Sequence, residues 1–143
     1  MNEAGPIRWR LHLASEPTAV FAALDDPGSR SRFWADEAPE VDGTIRFRFA
    51  NGVETDAPVL TREPPTTWVI GYFDTRAAFR LEDDGHGGTD LTMTCTEFDE
   101  VDRASLAAGW LNVLLPLKAW VDHGVDLHNH DPSRTWDDGY ADH

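Results

Sequence analysis

The chain begins with a strict alternation of apolar and polar residues over Ile7–Leu13, in the stretch IRWRLHL. A period of two residues predicts a β-strand with one buried face and one wet face. The following SEPTAVFAALDDPG has its apolar residues at helical spacing, with Ser15 placed to cap the helix and Pro27 to end it. SRSRFW after it predicts a second short helix. The first quarter of the chain therefore predicts one strand and one or two short helices.

The middle of the chain predicts about five further strands. Most of them alternate, whereas Glu54–Arg62 is of mixed polarity and Thr67–Phe73 is apolar on both faces, as in a central strand. Asn51 and Gly52 mark a hairpin turn between the first two of them. Short turns between successive strands are typical of antiparallel neighbours, so we expect a sheet of about six antiparallel strands in all. The predicted segments after the first strand are Thr44–Phe49, Glu54–Arg62, Thr67–Phe73, Arg76–Glu82 and Leu91–Phe98.

The stretch FDEVDRASLAAGWLNVLLPLKAWVDHG then shows a helical period. Asp99 or Asp102 can cap its start, Gly124 is expected to end it, and Pro116 is expected to kink it or divide it in two. A helix this apolar has enough surface to cover the concave face of the sheet, and the element order predicts the α+β class. Its apolar stripe consists of Leu106, Trp110, Val113, Leu114, Leu117 and Val121.

Length and charge narrow the classes of function. The chain has 143 residues and a formal net charge of -14, which predicts one domain and excludes nucleic acid and anionic membranes as partners. Cys95 is the only cysteine, so no internal disulfide forms. MNEAGPIRWR lacks a signal-peptide pattern, and no apolar run reaches the length of about 20 residues that a membrane helix needs. We therefore expect a soluble, cytoplasmic protein.

Several motifs, in this order, resemble the helix-grip fold of the birch pollen allergen and the START lipid-transfer domains, the SRPBCC superfamily. Within it the chain looks most like the homologues of the activator of heat-shock protein 90 ATPase, the AHSA-like family. The resemblance spans about Ile7 to Gly124. The motifs are ASEPTAVFAALDDP, FW at Phe33–Trp34, GTIRF at Gly43–Phe47, PPTTWVIGY at Pro64–Tyr72 and GWLNVLLPLKAWVDHG at Gly109–Gly124.

The resemblance implies a curved antiparallel sheet wrapped on the long C-terminal helix, with an apolar cavity between them. Members of the superfamily bind lipids, polyketides or other hydrophobic small molecules, some are cyclases, and a few stimulate a chaperone ATPase. The implied helix-grip domain covers residues 1–125, and residues 126–143 form an acidic tail that we expect to pack on the domain or on a partner subunit.

The cavity is the leading candidate site, and the alternative is that the same side chains simply fill a core. Glu97 is expected either at the cavity rim or in solvent beyond a frayed strand. No phosphate loop, nucleophile elbow or HExxH motif is present, so we predict no catalytic residue. The candidate apolar walls are Phe47, Phe49, Phe79, Met93, Cys95, Trp110, Leu114 and Leu117, and the candidate polar or aromatic groups are Trp34, Trp68, Tyr72 and Glu97.

The tail, DLHNHDPSRTWDDGYADH, has three possible interpretations: a metal site, a disordered segment or a strap. Its histidines His128 and His130 match no familiar metal-site spacing, so we predict no metal and no other cofactor. Disorder is the second reading, because the segment is polar and terminal. The preferred hypothesis is a strap in which Leu127, Trp136 and Tyr140 dock on the body or on a second copy, with an Asp or Ser cap before a helical turn.

The sequence thus predicts sequestration of a hydrophobic small molecule, lipid or polyketide-like, between the sheet and the long helix. A cyclase-like or hydrolase-like enzyme that uses Glu97 or Tyr72 as acid or base is the first alternative. A chaperone-ATPase-associated interaction module is the second. A homodimer and a chaperone or other basic protein partner stay open, since one fold carries many functions.

Overall fold

The alternating segments of the sequence all form β-strands in the computed structural model, which describes residues 5–141. Two short helices follow the first strand and one long helix follows the last, as the periodicity predicts. The strands are β1 (Ile7–Leu13), β2 (Glu40–Val41), β3 (Thr44–Arg48), β4 (Glu54–Glu63), β5 (Thr67–Tyr72), β6 (Thr75–Asp83) and β7 (Thr89–Thr96). The α-helices are α1 (Pro17–Asp25), α2 (Pro27–Phe33) and α3 (Arg103–His123), with 3-10 helices at Glu100–Asp102 and Trp136–Asp138.

The seven strands form one antiparallel sheet in the order β1-β7-β6-β5-β4-β3-β2. Its first and last regular strands, β1 and β7, pair along their whole lengths, from Ile7 opposite Cys95 to Leu13 opposite Thr89. The α+β prediction is confirmed. The strand β2 was not predicted, because two residues are too short to show an alternating pattern.

Helix α3 packs against the sheet through the middle of its predicted stripe, where Trp110, Val113, Leu114 and Leu117 are buried. With the preceding turn it is the one described helix whose length and hydropathy would suffice to span a membrane, and here it lies on the sheet. Pro116 does not divide it, since the helix runs unbroken from Arg103 to His123. Burial of apolar residues on both sides of Pro116 outweighs a lost backbone hydrogen bond.

The C-terminal end of α3 is tied to the turn between β1 and α1 by the carboxylate of Asp122. This carboxylate accepts hydrogen bonds from the backbone N–H groups of Ala14 (2.9 Å) and Ser15 (3.0 Å) and from the Ser15 hydroxyl (2.7 Å). The prediction that Ser15 caps α1 is therefore wrong. Glu16 occupies the cap position without a side-chain hydrogen bond, because the Ser15 hydroxyl is engaged by α3.

Asp122 should make the stability of the fold depend on pH. Although burial disfavours the charge, the backbone and hydroxyl donors and Lys118 hold the pKa of Asp122 at about 2. A carboxyl group whose pKa is lowered by folding stabilises the folded state at pH values above its ordinary pKa. That contribution is lost as the pH falls towards 2. We expect Asp122→Asn to lower the free energy of unfolding at pH 7 by about 2 kcal/mol.

Urea unfolding of both proteins at a series of pH values between 7 and about 2.5 measures this effect. The difference in the free energy of unfolding between wild type and Asp122→Asn should become smaller as the pH falls. Glu63→Gln is the matched control, because it removes one exposed carboxylate without touching α3. A gap that stays constant with pH would contradict the role assigned to the Asp122 charge.

Candidate ligand-binding site

A cluster of aromatic rings lies between the sheet and α3, and the fully buried Trp34 is at its centre. The Trp34 ring is 4.7 Å from that of Phe47 and 5.9 Å from that of Trp110, measured between centroids. Tilted and edge-to-face geometries of this kind are favourable for aromatic pairs. This part of the space between sheet and helix is therefore filled core. The other rings in contact with Trp34 are Phe33, Trp68, Tyr72 and Phe79.

The polar atoms of this cluster have defined partners. The Trp34 indole N–H donates to the hydroxyl of Tyr72 (3.1 Å), and the Trp68 indole N–H donates to Asp25 Oδ1 (3.3 Å). Burial raises the pKa of Tyr72 well above its ordinary value, with the Trp34 hydrogen bond acting in the opposite direction. The Tyr72 hydroxyl therefore keeps its proton at neutral pH, where it acts as a hydrogen-bonding group.

A cavity of about 210 Å³ opens on the far side of Tyr72 and Trp110. Its walls come from four places: the β3–β4 turn, the β5–β6 turn, the first half of α3 and the C-terminal segment after α3. Most of the lining is apolar, and its polar groups are uncharged amides and hydroxyls. The lining residues are Phe49, Ala50, Asn51, Val53, Tyr72, Phe73, Ser105, Leu106, Gly109, Trp110, Val113, Asn129, Thr135 and Trp136.

Three of the residues singled out from the sequence line this cavity, namely Phe49, Tyr72 and Trp110. Glu97 lies elsewhere, exposed in a shallow depression beside Pro6. Its φ of 62° ends β7, so its carboxylate does not reach the cavity. The remaining candidates are buried in the core away from the cavity: Trp34, Phe47, Trp68, Phe79, Met93, Cys95, Leu114 and Leu117.

The turn between β5 and β6 holds an aromatic ring at the cavity in an uncommon backbone conformation. Phe73 and Asp74 have φ values of 46° and 61°, in the left-handed region that bulky residues rarely adopt. Phe73 is 43% exposed, and its ring lies 5.9 Å from that of Phe49 and 4.8 Å from that of Tyr72. The turn thus keeps this ring at the cavity mouth in a backbone conformation that is energetically unfavourable for phenylalanine.

The C-terminal segment forms the last wall. Thr135 caps the 3-10 helix Trp136–Asp138 in a reciprocal arrangement with Asp138, so the cap is neither the Asp nor the Ser expected from the sequence. The Asn51 amide donates to Asp137 (2.8 Å) and joins the β3–β4 turn to this segment. Asn129 is buried and donates to the Arg134 carbonyl (2.7 Å), which fixes the loop between them.

The strap hypothesis names Leu127, Trp136 and Tyr140, and docking of these side chains on the body or on a second copy stays a prediction. Trp136 lines the cavity and is 37% exposed, whereas Leu127 and Tyr140 are 54% and 44% exposed. Residues 142–143 of the tail lie outside the described range. Within the described part of the tail, His128, Asn129 and Thr135 are buried. Sequence reasoning did not assign Ser105, Gly109, Asn129 or Thr135 to the site, although Gly109 carried a signal as a glycine inside a helix.

No family model matches the chain, and no curated protein matches it. Solved structures do match. The protein SSP2350 from Staphylococcus saprophyticus is 24% identical with a TM-score of 0.74, and the match covers 89% of this chain and 98% of that one. The Aha1 dimer from Colwellia psychrerythraea is also 24% identical with a TM-score of 0.74, over 85% of this chain and 98% of that one.

DynU16, from the dynemicin biosynthetic locus, is 19% identical with a TM-score of 0.78, and the match covers 90% of this chain and 51% of that one. These similarities establish the helix-grip α+β fold. This is the fold that the resemblance to the SRPBCC superfamily implied. At this level of identity they leave the ligand and the activity to be argued from the site.

The hydrogen bond between Trp34 and Tyr72 predicts a measurable loss in Tyr72→Phe. The substitution leaves a buried indole N–H without its acceptor, so we expect the free energy of unfolding to fall by about 1–2 kcal/mol. Urea unfolding monitored by tryptophan fluorescence is the measurement. Tyr140→Phe, at the only other tyrosine, is the matched control and should change stability by less than about 0.5 kcal/mol. Equal effects at both positions would contradict the assignment.

Proposed function

We propose that the protein binds a small, uncharged, largely hydrophobic molecule in the cavity beside Trp110. Apolar walls stabilise such a ligand by removing its surface from water, at about 25 cal/mol per Å². Phe49, Phe73 and Trp110 favour a planar ligand, because their rings offer stacking and edge contacts. A few amide and hydroxyl groups at the rim, such as those of Asn51 and Ser105, fix its orientation.

Gly109 is the observation that carries this proposal. It lies inside α3 and lines the cavity, and a Cβ atom added there would meet no atom within 4 Å. Neither close packing nor backbone conformation therefore requires glycine at this position. Glycine in a helix interior costs about 1 kcal/mol relative to alanine. A residue that lowers stability while leaving space open in an apolar cavity is typical of a binding site.

The cavity volume limits the ligand. At about 210 Å³ it is smaller than the roughly 300–1,000 Å³ of pockets that enclose drug-sized molecules. The enclosed part of the ligand is therefore the size of one or two fused rings, or a short acyl segment. A lipid or polyketide-like ligand would place only this part inside. The likeness to DynU16, a protein of a biosynthetic locus, supports the polyketide-like class.

Binding is a better account of this site than catalysis. Within residues 5–141 the cavity lining contains no carboxylate, and Tyr72 keeps its proton at neutral pH. General acid–base chemistry needs a group that gains or loses a proton near the working pH. The likeness to the Aha1 dimer supports the chaperone-associated alternative, and a homodimer is supported by that likeness and by the exposed Leu127 and Tyr140 of the tail. A cytoplasmic location is part of the same proposal and rests on the single free cysteine.

Filling the space at Gly109 should separate binding from stability. We expect Gly109→Leu to lower the affinity for the neutral fluorescent probe N-phenyl-1-naphthylamine at least tenfold, because the new side chain occupies the cavity. The midpoint of thermal unfolding should be equal to that of the wild type or higher, since leucine favours the helix. Fluorescence titration and thermal unfolding are the two measurements.

Two matched variants control this experiment. Gly109→Ala adds one methyl group, so it should raise stability by about 1 kcal/mol and weaken probe binding only slightly. Ala108→Leu adds the same side chain as the test variant on the exposed neighbouring position of α3 and should leave the affinity unchanged. The proposal fails if the wild type does not bind the probe, or if Gly109→Leu and Ala108→Leu bind it equally well.

Phe73 provides an independent test of the cavity mouth. Phe73→Asn replaces a bulky residue in the left-handed region by one that tolerates it, which offsets the lost ring contacts. We expect stability to stay within about 1 kcal/mol of the wild type, whereas the probe affinity should fall several-fold. Asp74→Asn, in the same turn, is the control. It should change the stability and the probe affinity less than Phe73→Asn does. Unchanged affinity in Phe73→Asn would remove Phe73 from the site.

A further inference from the structure

The C-terminal segment brings two histidines against an aspartate from the other part of the chain. Asp36 Oδ1 lies 3.1 Å from His130 Nδ1 and 3.4 Å from His128 Nε2. The two imidazole rings are perpendicular, with centroids 4.6 Å apart. One nitrogen or oxygen atom from each of the three residues lies within 4.8 Å of the other two. Three potential ligand atoms thus lie close enough together to share one ion.

These separations fit the geometry of a small divalent cation. In a tetrahedral zinc site the metal–nitrogen and metal–oxygen bonds are about 2.0–2.2 Å, which puts neighbouring ligand atoms about 3.4 Å apart. The two distances from Asp36 Oδ1 are close to this value. The third separation, between the two histidine nitrogens, is within 4.8 Å, so rotations of the rings would bring the three atoms to three corners of a tetrahedron. The fourth corner would take a water molecule.

A fourth residue, Asp126, supports the ligands from behind. Its Oδ2 lies 2.9 Å from His130 Nε2, on the side of the ring opposite Asp36. A carboxylate in this position favours the tautomer that directs Nδ1 towards the metal and increases its basicity, as in carboxylate–histidine–zinc arrangements. Asp126 Oδ1 also accepts a hydrogen bond from the backbone N–H of His128 (3.0 Å). One side chain therefore positions both histidines.

Burial and charge favour the same occupant. The His128 side chain is fully buried, and those of Asp36 and Asp126 are 23% and 24% exposed. The site holds two carboxylates in a protein whose formal net charge is -14, so a divalent cation would relieve local repulsion. Two imidazoles and one carboxylate form a donor set that suits Zn²⁺ and similar first-row ions better than Mg²⁺ or Ca²⁺.

We propose that Asp36, His128 and His130 bind one Zn²⁺ ion and thereby fasten the C-terminal segment to the connection between α2 and β2. The sequence predicted no metal because the spacing of possible ligands was considered only within the tail. Asp36 and His130 are 94 residues apart, so no local spacing reveals this set of ligands. Asn129, between the two histidines, lines the cavity, so the ion would stand behind one cavity wall.

Calorimetric titration of the untagged full-length chain tests the proposal directly. The protein is first stripped with a chelator and then titrated with Zn²⁺ in millimolar Mg²⁺, which occupies exposed carboxylates. We expect one equivalent to bind and to raise the midpoint of thermal unfolding. Asp36→Asn and His130→Gln, which keep the size and polarity of the side chains, should each lower the Zn²⁺ affinity at least tenfold. Asp126→Asn should lower it less, by roughly tenfold at most.

His12→Gln is the matched control. His12 makes a similar contact with one carboxylate, Asp84, at 2.8 Å, but within residues 5–141 no second histidine side chain completes a group of three potential ligands with them. Its substitution should leave the Zn²⁺ affinity and the stoichiometry unchanged. Circular dichroism of each variant shows that the fold is retained. The proposal is overturned if the stripped wild type binds no Zn²⁺, or if Asp36→Asn and His130→Gln bind it as the wild type does.

Discussion

The packing of α3 on the aromatic face of the sheet is the contact on which the rest of the molecule depends. Trp110 meets Trp34, Tyr72 and Phe79 there, and Asp122 fixes the far end of the helix to the β1–α1 turn. Between these two anchors, the size of each residue on α3 decides whether the helix fills the space above the sheet. Ser105 and Gly109 are small and leave the cavity open beside them, whereas Trp110 fills the adjoining core.

The C-terminal segment covers the cavity that this packing leaves between the sheet and α3. An apolar cavity at the end of a sheet would stand open to water, and α3 alone is too narrow to cover it. Polar turns hold the covering segment in place: Asn129 bonds within its own loop, and Asn51 reaches Asp137 from the β3–β4 turn. Only Trp136 adds a large apolar surface to this wall. A mostly polar wall can separate from the body at lower cost than an apolar one.

The predictable part of the structure is the part set by local periodicity. Alternation over Ile7–Leu13 and the helical stripe after Asp99 each act within a few residues, so strands, helices and their antiparallel order follow from the sequence. The site does not follow in this way. Phe47 and Phe49 share one strand face and stack at 6.1 Å, yet only Phe49 lines the cavity. That difference depends on where the tail and α3 lie, which no local pattern records.

The position of Asn129 links the two proposed sites physically. Its neighbours on both sides are the histidines proposed as metal ligands, and its own side chain faces the cavity wall. A cation that orders His128 and His130 would also order this wall, because the residue on each side of Asn129 would then be fixed. The ligand would in turn contact a wall that the cation requires to be in place. Coupling of this kind is reciprocal: whatever factor Zn²⁺ adds to the affinity for the ligand, the ligand must add to the affinity for Zn²⁺.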